Sequence, residues 1–505
     1  MALPKTQLAP RNDQAMTRDF CILAISIDGG TPALAAQSLN RYIDVGEIRA
    51  LPSVFPSSTA PSHASFATGA HPSQHGVVGN RFWEDEGIDQ IAAVQAQPLA
   101  GIRPYSLDCL LARSWALEAS LSGRRVAAIH FPQTVAFHSR PVGSFPAVYC
   151  LYASPREMPF DGTGRVRTVR VQMFNLELEF RVDSVSSGRV VVHYGSLAAT
   201  ADERDIICLN YGRHRLSVQA QHDRTRNVLV LGKAVLETYD HPRSAMRAVS
   251  AYAPSLPIRR YSGATASFTE APSVEWTERT ALRAMQSLRP HVLLVRYVQT
   301  DHVQETLHGD SWNDDLAVRS KATHGIAETY DLVAASAARL IRHWYGEYSL
   351  LFSDHGIDTI THYLRPNAVL QALGLSDRLI FSGDSNCGYL YGCLRPEDLG
   401  RIDSALRRSS KNAMRLVGPN ELSGGLAVPR LSPRTGCAQV ISDRHTELLY
   451  EPGPAFQVAH GASHGYDPRE SAMNGFVTAS QYIPELEDIA ALGRWCRGLV
   501  LGEKP

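Results

Sequence analysis

Four short stretches of the chain are almost continuously apolar and then stop at polar residues. They are FCILAISID (Phe20 to Asp28), RVAAIHFP (Arg125 to Pro132), HVLLVRYVQTD (His291 to Asp301) and YSLLFSD (Tyr348 to Asp354). Continuous rather than alternating apolarity predicts strands buried on both faces of a parallel sheet. Between them the period changes. Ile326, Tyr330, Val333, Ala337, Leu340 and Ile341 fall on one face of a helix that precedes the last of these strands. Strands alternating with helices predict an α/β fold, with a central, mostly parallel sheet flanked by helices.

Two regions depart from this pattern. From about Arg165 to Asp240 the chain reads as successive strands, with clear alternation in Leu176-Glu177-Leu178-Glu179-Phe180-Arg181-Val182. Alternation predicts an antiparallel sheet with one wet face, expected to stand as a sheet separate from the core. The second region, roughly Gly383 to Asp443, combines CGYLYGCL, the helical pattern PEDLGRIDSALRRSS and a loop-rich stretch. The expected division is core at 16–150, a β-rich insert at 151–265, core at 266–382, a small α+β insert or cap at 383–445, and core at 446–505. The first fifteen residues are expected to be mobile.

Composition narrows the function. The 505 residues include fifty basic and fifty acidic side chains, so no global field favours nucleic acid or an anionic membrane. The groups GRHRL and QHDRTRN in the β-rich region read as a solvated face. None of the eight cysteines forms a CxxC pair. Several lie in apolar surroundings such as FCILAI and DIICLN, which suits a reducing compartment. The N-terminal stretch lacks the apolar core of a signal peptide, and no run of 18 apolar residues occurs. A cytoplasmic location without a membrane span is expected.

Chemistry gathers where the apolar strands end. Asp28, Asp301 and Asp354 follow three of them, and ligands bind beyond the carboxyl ends of strands in an open parallel sheet. Converging carboxylates repel one another unless a cation or proton lies between them. His308 follows Asp301, His355 adjoins Asp354, and His464 lies in ASHGYDP. Such a set suits a divalent ion such as Zn²⁺ or Mn²⁺. Each piece alone has an ordinary reading: Asp28-Gly29 is a common turn, and an isolated histidine is usually structural. The stretch SVFPSSTAPSHASFATGAHPSQHGVVGN, Ser53 to Asn80, crowds hydroxyls and imidazoles without one acidic residue. Thr59 stands before the start of an expected helix, whose unpaired NH groups and dipole favour a phosphate. Thr59 and Ser62 read equally as a nucleophile with its neighbour or as helix caps.

The motifs ISIDGG, FPSSTAPSHASFATGAHPSQHGVVGN, QTDHVQETLHG, LLFSDHG and HGYDP…AMNGFV occur in this order between Phe20 and Val477. Together they resemble the alkaline phosphatase superfamily, within it the type I phosphodiesterase and nucleotide pyrophosphatase family. The resemblance implies an alkaline-phosphatase-like sheet and two divalent metal ions, zinc first and manganese second. One ion would be held by Asp28, Thr59, Asp354 and His355, the other by Asp301, His308 and His464, about 4 Å away. Thr59 would attack phosphorus and carry a covalent phosphothreonine. The family usually has Asn three residues after the nucleophile; here Ser62 stands there and is the expected phosphoryl contact. The seven-residue step from Asp301 to His308 is longer than usual, and Glu305 occupies a position where a ligand histidine often falls. Charge favours His308 over Glu305, because another carboxylate would join Asp28, Asp301, Asp354, the Thr59 alkoxide and an anionic substrate.

The expected activity is hydrolysis of a phosphodiester or pyrophosphate bond in a nucleotide or other small organic phosphate. TDHVQ also resembles phosphonoacetate hydrolases, so phosphonate hydrolysis remains open, as does phosphomonoester hydrolysis. A third reading is a catalytically silent ligand-binding homologue. Asn80 and Phe82, with Trp83, follow the nucleophile segment and are expected to line the pocket.

Overall fold

The computed structural model describes residues 20–44, 46–83, 103–136, 145–151, 156–159, 167–173, 176–184, 190–201, 206–211, 214–238, 272–418 and 434–502. The first fifteen residues, the end of the β-rich region after 238 and the loop-rich stretch 419–433 lie outside them. The strands in chain order begin with β1 (Ile22–Ile27), β2 (Arg49–Leu51), β3 (Val126–Ile129), β4 (Ala147–Leu151) and β5 (Arg156–Pro159). In the β-rich region follow β6 (Arg167–Met173), β7 (Leu176–Ser184), β8 (Val190–Tyr194), β9 (Leu197–Thr200), β10 (Ile206–Tyr211), β11 (His214–Asp223) and β12 (Val228–Thr238). The core resumes with β13 (Val292–Tyr297), β14 (Tyr348–Phe352) and β15 (Asp358–Leu364). The last seven are β16 (Leu379–Asp384), β17 (Cys387–Gly392), β18 (Met414–Val417), β19 (Ala438–Ser442), β20 (Thr446–Leu448), β21 (Phe456–Ser463) and β22 (Gly475–Ala479).

An eleven-stranded sheet in the order β10-β11-β12-β4-β3-β13-β1-β14-β22-β2, with β5 paired to β12, forms the centre. The chain is thus α/β, with a mostly parallel sheet core flanked by helices. All four apolar stretches contribute: β1 runs parallel to both β13 and β14, and β13 runs parallel to β3. Every residue of β1, β13 and β14 is buried. Successive side chains of a strand face opposite sides, and β1 shows the consequence. Ile22 and Ala24 join one apolar cluster with Phe66, Trp115 and Leu492. Leu23, Ile25 and Ile27 join another, with Val333, Ala337 and Leu340 of the helix Leu316–His343. In that helix Ile326 and Tyr330 are buried as well, and Ile341 is half-buried.

The β-rich region does not form one separate sheet. Strands β6 to β9 make a four-stranded antiparallel sheet of their own. Strands β10 to β12 instead prolong the central sheet, because β12 pairs antiparallel with β4, Ala234 opposite Leu151. The physical reason is the edge: β4 would otherwise present unpaired backbone NH and carbonyl groups. The second expected insert contains the sheet β16-β17-β19-β18 and the helix Pro396–Ser409, β16 starting a little earlier than its expected boundary. A three-stranded sheet β20-β15-β21 delivers residue 464 from the end of β21.

Candidate active site

Parallel pairing places the carboxyl ends of β1, β13 and β14 on one edge, and the three aspartates gather there. Asp28 follows β1 directly, and Asp354 comes two residues after β14. Asp301 does not end its strand. It lies in the first turn of the helix Gln299–Leu307, since β13 stops at Tyr297. The backbone at Gly29 makes the gathering possible. Its φ of +62° suits glycine, and a Cβ there would meet Asp301 Oδ1 at 2.7 Å. Gln304 Nε2 donates to Gly29 O at 2.7 Å, and Tyr330 OH accepts from Thr31 N at 3.1 Å, which holds this turn against two helices.

Two groups of buried side chains each offer ligand atoms within 4.8 Å of one another: Asp28, Asp354 and His355 in one, Asp301, His355 and His464 in the other. The His355 and His464 rings lie 4.1 Å apart between centroids. Thr59 Oγ1 is 3.1 Å from His355 Nε2. Thr59 opens the helix Thr59–Thr68, and Ser58, its N-cap, makes no side-chain cap bond. The capping role considered for Thr59 is taken instead by Asn80, whose Oδ1 accepts from Ala60 N at 2.8 Å. Gly465 N donates to Ser57 O at 2.8 Å, tying the His464 loop to the Thr59 loop.

Electrostatics agree with a cation site. Burial pushes the Asp28 carboxyl up to about 6, partly offset by the Arg296 guanidinium. Burial pushes Asp301 well above the carboxylate range, with the Glu305 charge the next largest contribution. At Asp354 burial also acts upward, but the His355 and His63 rings outweigh it and hold this carboxyl well below its usual value. Burial, reinforced by His355, holds His464 well below the usual imidazole value, keeping its lone pair available. Asp28 Oδ1 and Asp301 Oδ1 are buried without a hydrogen-bond partner. A buried anionic oxygen left unpaired is costly, so the donor set fits divalent ions.

Other expected site residues fall elsewhere. The Ser62 side chain is fully buried, and its Oγ lies 2.8 Å from Ser53 Oγ, which donates to Asp354 O at 2.7 Å. Its hydroxyl therefore braces the Asp354 loop. Phe82 is buried among Ala60, Ala64, Val77 and Tyr389, and Trp83 is half-buried against the same cluster. His308 enters neither group of ligand atoms. It ends the helix Gln299–Leu307, with its ring 6.4 Å from that of Trp312.

Two residues escaped the sequence reading. His63 Nδ1 lies 3.1 Å from Asp354 Oδ2 and 2.9 Å from Thr59 O, while Nε2 meets Ser26 Oγ at 2.9 Å. Its signal was its place one helical turn after Thr59. Arg296 Nε donates to Asp28 Oδ2 at 2.9 Å. Its signal was a lone cation in an apolar strand, which requires a buried counter-ion. Glu305, set aside on charge in favour of His308, has its Oε1 3.7 Å from His464 Nε2.

Gly356 makes the loop after His355 sensitive to any side chain. A Cβ there would meet Ala472 O at 2.0 Å, and Gly356 O lies 2.9 Å from His355 Nδ1. Gly356→Ala is therefore expected to destabilise the fold by about 1–3 kcal/mol, the usual range for overpacking. It should also lower turnover by moving His355. Urea denaturation and kcat of the variant check this; an unchanged midpoint would show that the loop yields freely.

This fold and this arrangement belong to a known class. Residues 22–467 match the family model of type I phosphodiesterase / nucleotide pyrophosphatase, and the chain belongs to that family. It is accordingly a phosphoester hydrolase of the phosphodiesterase/pyrophosphatase type within the alkaline phosphatase superfamily. Among solved structures, murine ectonucleotide pyrophosphatase / phosphodiesterase 5 is similar at 11% identity and a TM-score of 0.53, covering 95% of each chain. An inactive variant of that murine protein in complex with AMP gives a TM-score of 0.54 at 11% identity, over 96% of this chain and 95% of the other. Phosphonoacetate hydrolase from Sinorhizobium meliloti 1021, in complex with phosphonoformate, is similar at 14% identity and a TM-score of 0.52, covering 96% of each chain. No curated protein matches the sequence significantly. No helix among the described residues is long and apolar enough to cross a membrane.

Proposed function

We propose that the chain hydrolyses a phosphodiester or pyrophosphate bond of a nucleotide or similar small organic phosphate, with Thr59 as nucleophile and two divalent ions, zinc or manganese, as cofactors. The observation that carries this reading is Thr59 Oγ1 at 3.1 Å from His355 Nε2, beside two groups of buried ion ligands. Asp28, Asp354 and His355, with Thr59, would hold one ion; Asp301 and His464 would hold the other. When bound, the ions supply Lewis-acid stabilisation of charge on the phosphoryl group and its attacking and leaving oxygens.

The chain's own residues account for the remaining steps. Thr59 Oγ1 forms a bond to phosphorus as the bond to the leaving oxygen breaks, and the leaving group takes up a proton. Water then attacks the phosphothreonine, the Oγ1–P bond breaks, and Thr59 is regenerated. The helix Thr59–Thr68 points its N-terminus at the phosphoryl group, where dipole and NH groups favour an anion. His63 fixes both the Thr59 backbone and the Asp354 carboxylate. Asn80, held beside the nucleophile through Ala60 N, would border the substrate pocket. The AMP complex of the murine relative supports a nucleotide substrate.

Phosphonate hydrolysis is the second reading, favoured by the likeness to phosphonoacetate hydrolase. A panel of bis-p-nitrophenyl phosphate, p-nitrophenyl phosphate and phosphonoacetate separates the readings. The diester is expected to give the highest kcat/KM, by at least about tenfold. Preference for the monoester or the phosphonate would overturn the diesterase assignment. A cytoplasmic location completes the proposal. It is supported by the burial of Cys109, Cys150 and Cys496 among apolar side chains, and recovery from an extracellular fraction would contradict it.

A further inference from the structure

We infer that Glu305, and not His308, completes the second ion site with Asp301 and His464, giving it two carboxylates and one imidazole. This rests on the two-ion reading proposed above. The helix Gln299–Leu307 carries both candidates, since His308 is its C-cap. On a helix, residues four apart share a face at neighbouring heights, which puts Glu305 one turn above Asp301. His308 is seven residues on, about 10.5 Å along the axis at the usual rise. Two ligand atoms about 2.0–2.2 Å from one ion stand roughly 3–3.5 Å apart. Glu305 Oε1 at 3.7 Å from His464 Nε2 is already close to that spacing.

His308 is held elsewhere. Its ring meets Trp312, and its backbone NH donates to Gln304 O at 2.8 Å. The next residue, Gly309, packs so tightly on β21 that a Cβ would meet Gly461 N at 2.6 Å. The helix end therefore cannot shift to bring His308 inward. Glu305 is different: its side chain, 41% exposed, already places a carboxylate oxygen beside His464 at the rim of the site. Asp301 Oδ1, 5% exposed as a residue and without a hydrogen-bond partner, is the buried anchor of the same site.

Charge does not exclude a fourth carboxylate, because Arg296 enters the balance. Two divalent ions offset Asp28, Asp301, Glu305 and Asp354. The buried Arg296 guanidinium, bonded to Asp28, offsets the Thr59 alkoxide. A site with two carboxylates is harder than one with two imidazoles, and carboxylate suits Mn²⁺ more than imidazole does. The second site should therefore hold Mn²⁺ well relative to Zn²⁺, while the first, with His355, keeps zinc-like chemistry.

The test is ion content by inductively coupled plasma mass spectrometry after Mn²⁺ loading, beside calorimetric Mn²⁺ titration. Glu305→Gln and His308→Ala are compared with the unaltered protein, and circular dichroism confirms folding. Two equivalents are expected in the unaltered protein and in His308→Ala, and one in Glu305→Gln, with the second Mn²⁺ Kd raised at least about tenfold. Glu305→His should restore two equivalents and shift the second site toward Zn²⁺. Two tightly held equivalents in Glu305→Gln, or one in His308→Ala, would overturn the inference. Fewer than two in the unaltered protein would overturn the two-ion reading itself, a result distinct from either.

Discussion

Thr59→Ala is expected to lower kcat by about 10³–10⁶-fold, the scale on which loss of a nucleophile acts, while ion content stays near that of the unaltered protein. The substitution removes only a hydroxyl and a methyl group from the first residue of the helix Thr59–Thr68. Ala60 N keeps its bond to Asn80, and His63 keeps the Thr59 carbonyl, so the helix start keeps its anchors. Asp28, Asp354 and His355 remain as the candidate ligands. What disappears is the oxygen 3.1 Å from His355 Nε2, the atom proposed to bond to phosphorus. Thr59→Ser keeps that oxygen and should retain partial turnover. A Thr59→Ala variant with a tenth or more of normal kcat on the best substrate would remove Thr59 from the chemistry.

Prolonged dialysis against a chelator is the second large effect. It is expected to reduce turnover to below about a hundredth, with recovery on adding Mn²⁺ or Zn²⁺. It should also lower Tm. An ion that binds only the folded state stabilises it by about 2.7 kcal/mol at a hundred times its Kd, so the stripped protein loses that support twice over. The stripped protein also acquires a pH dependence of known sign. The folded Asp28 carboxyl is raised to about 6 from 3.8. Its protonated form therefore favours the fold below about pH 4, and that contribution is lost as pH rises through 6. Buried His75 and His302, both held down to about 3, act with the opposite sign in stripped and loaded protein alike. The Asp28 contribution is therefore read as a difference: the Tm gained on ion loading should widen from pH 4 to 7, and a constant gain would contradict it. Full activity after verified loss of all ions would refute metal dependence.

The parts of the fold legible in the sequence were those fixed by local pattern. Uninterrupted apolar runs mark β1, β3, β13 and β14 because a strand covered on both faces has no polar side. The pairing of β12 with β4 was not legible, since alternation tells which face of a strand is wet and not which strand lies beside it. Asp28, Asp354, His355, Asp301, His464 and Thr59 were found because they occur in ordered motifs at strand and helix ends, and the structure brings them together. Arg296 and His63 were overlooked for a physical reason. Each works through a partner distant in sequence, Asp28 and Asp354 respectively, so spacing carries no trace of the pairing. The choice between Glu305 and His308 turned on where the helix begins. An Asp301 that ended a strand would leave room for extra residues before the helix; with the helix starting at Gln299, the rise per residue favours the proposed Glu305.

Anomalous diffraction from crystals grown with Mn²⁺ tests the central claim most directly. The account predicts two peaks about 4 Å apart. One should lie within coordination distance of Asp28, Asp354, His355 and Thr59 Oγ1, and the other of Asp301, Glu305 and His464. A single peak, or peaks away from Thr59, would contradict it.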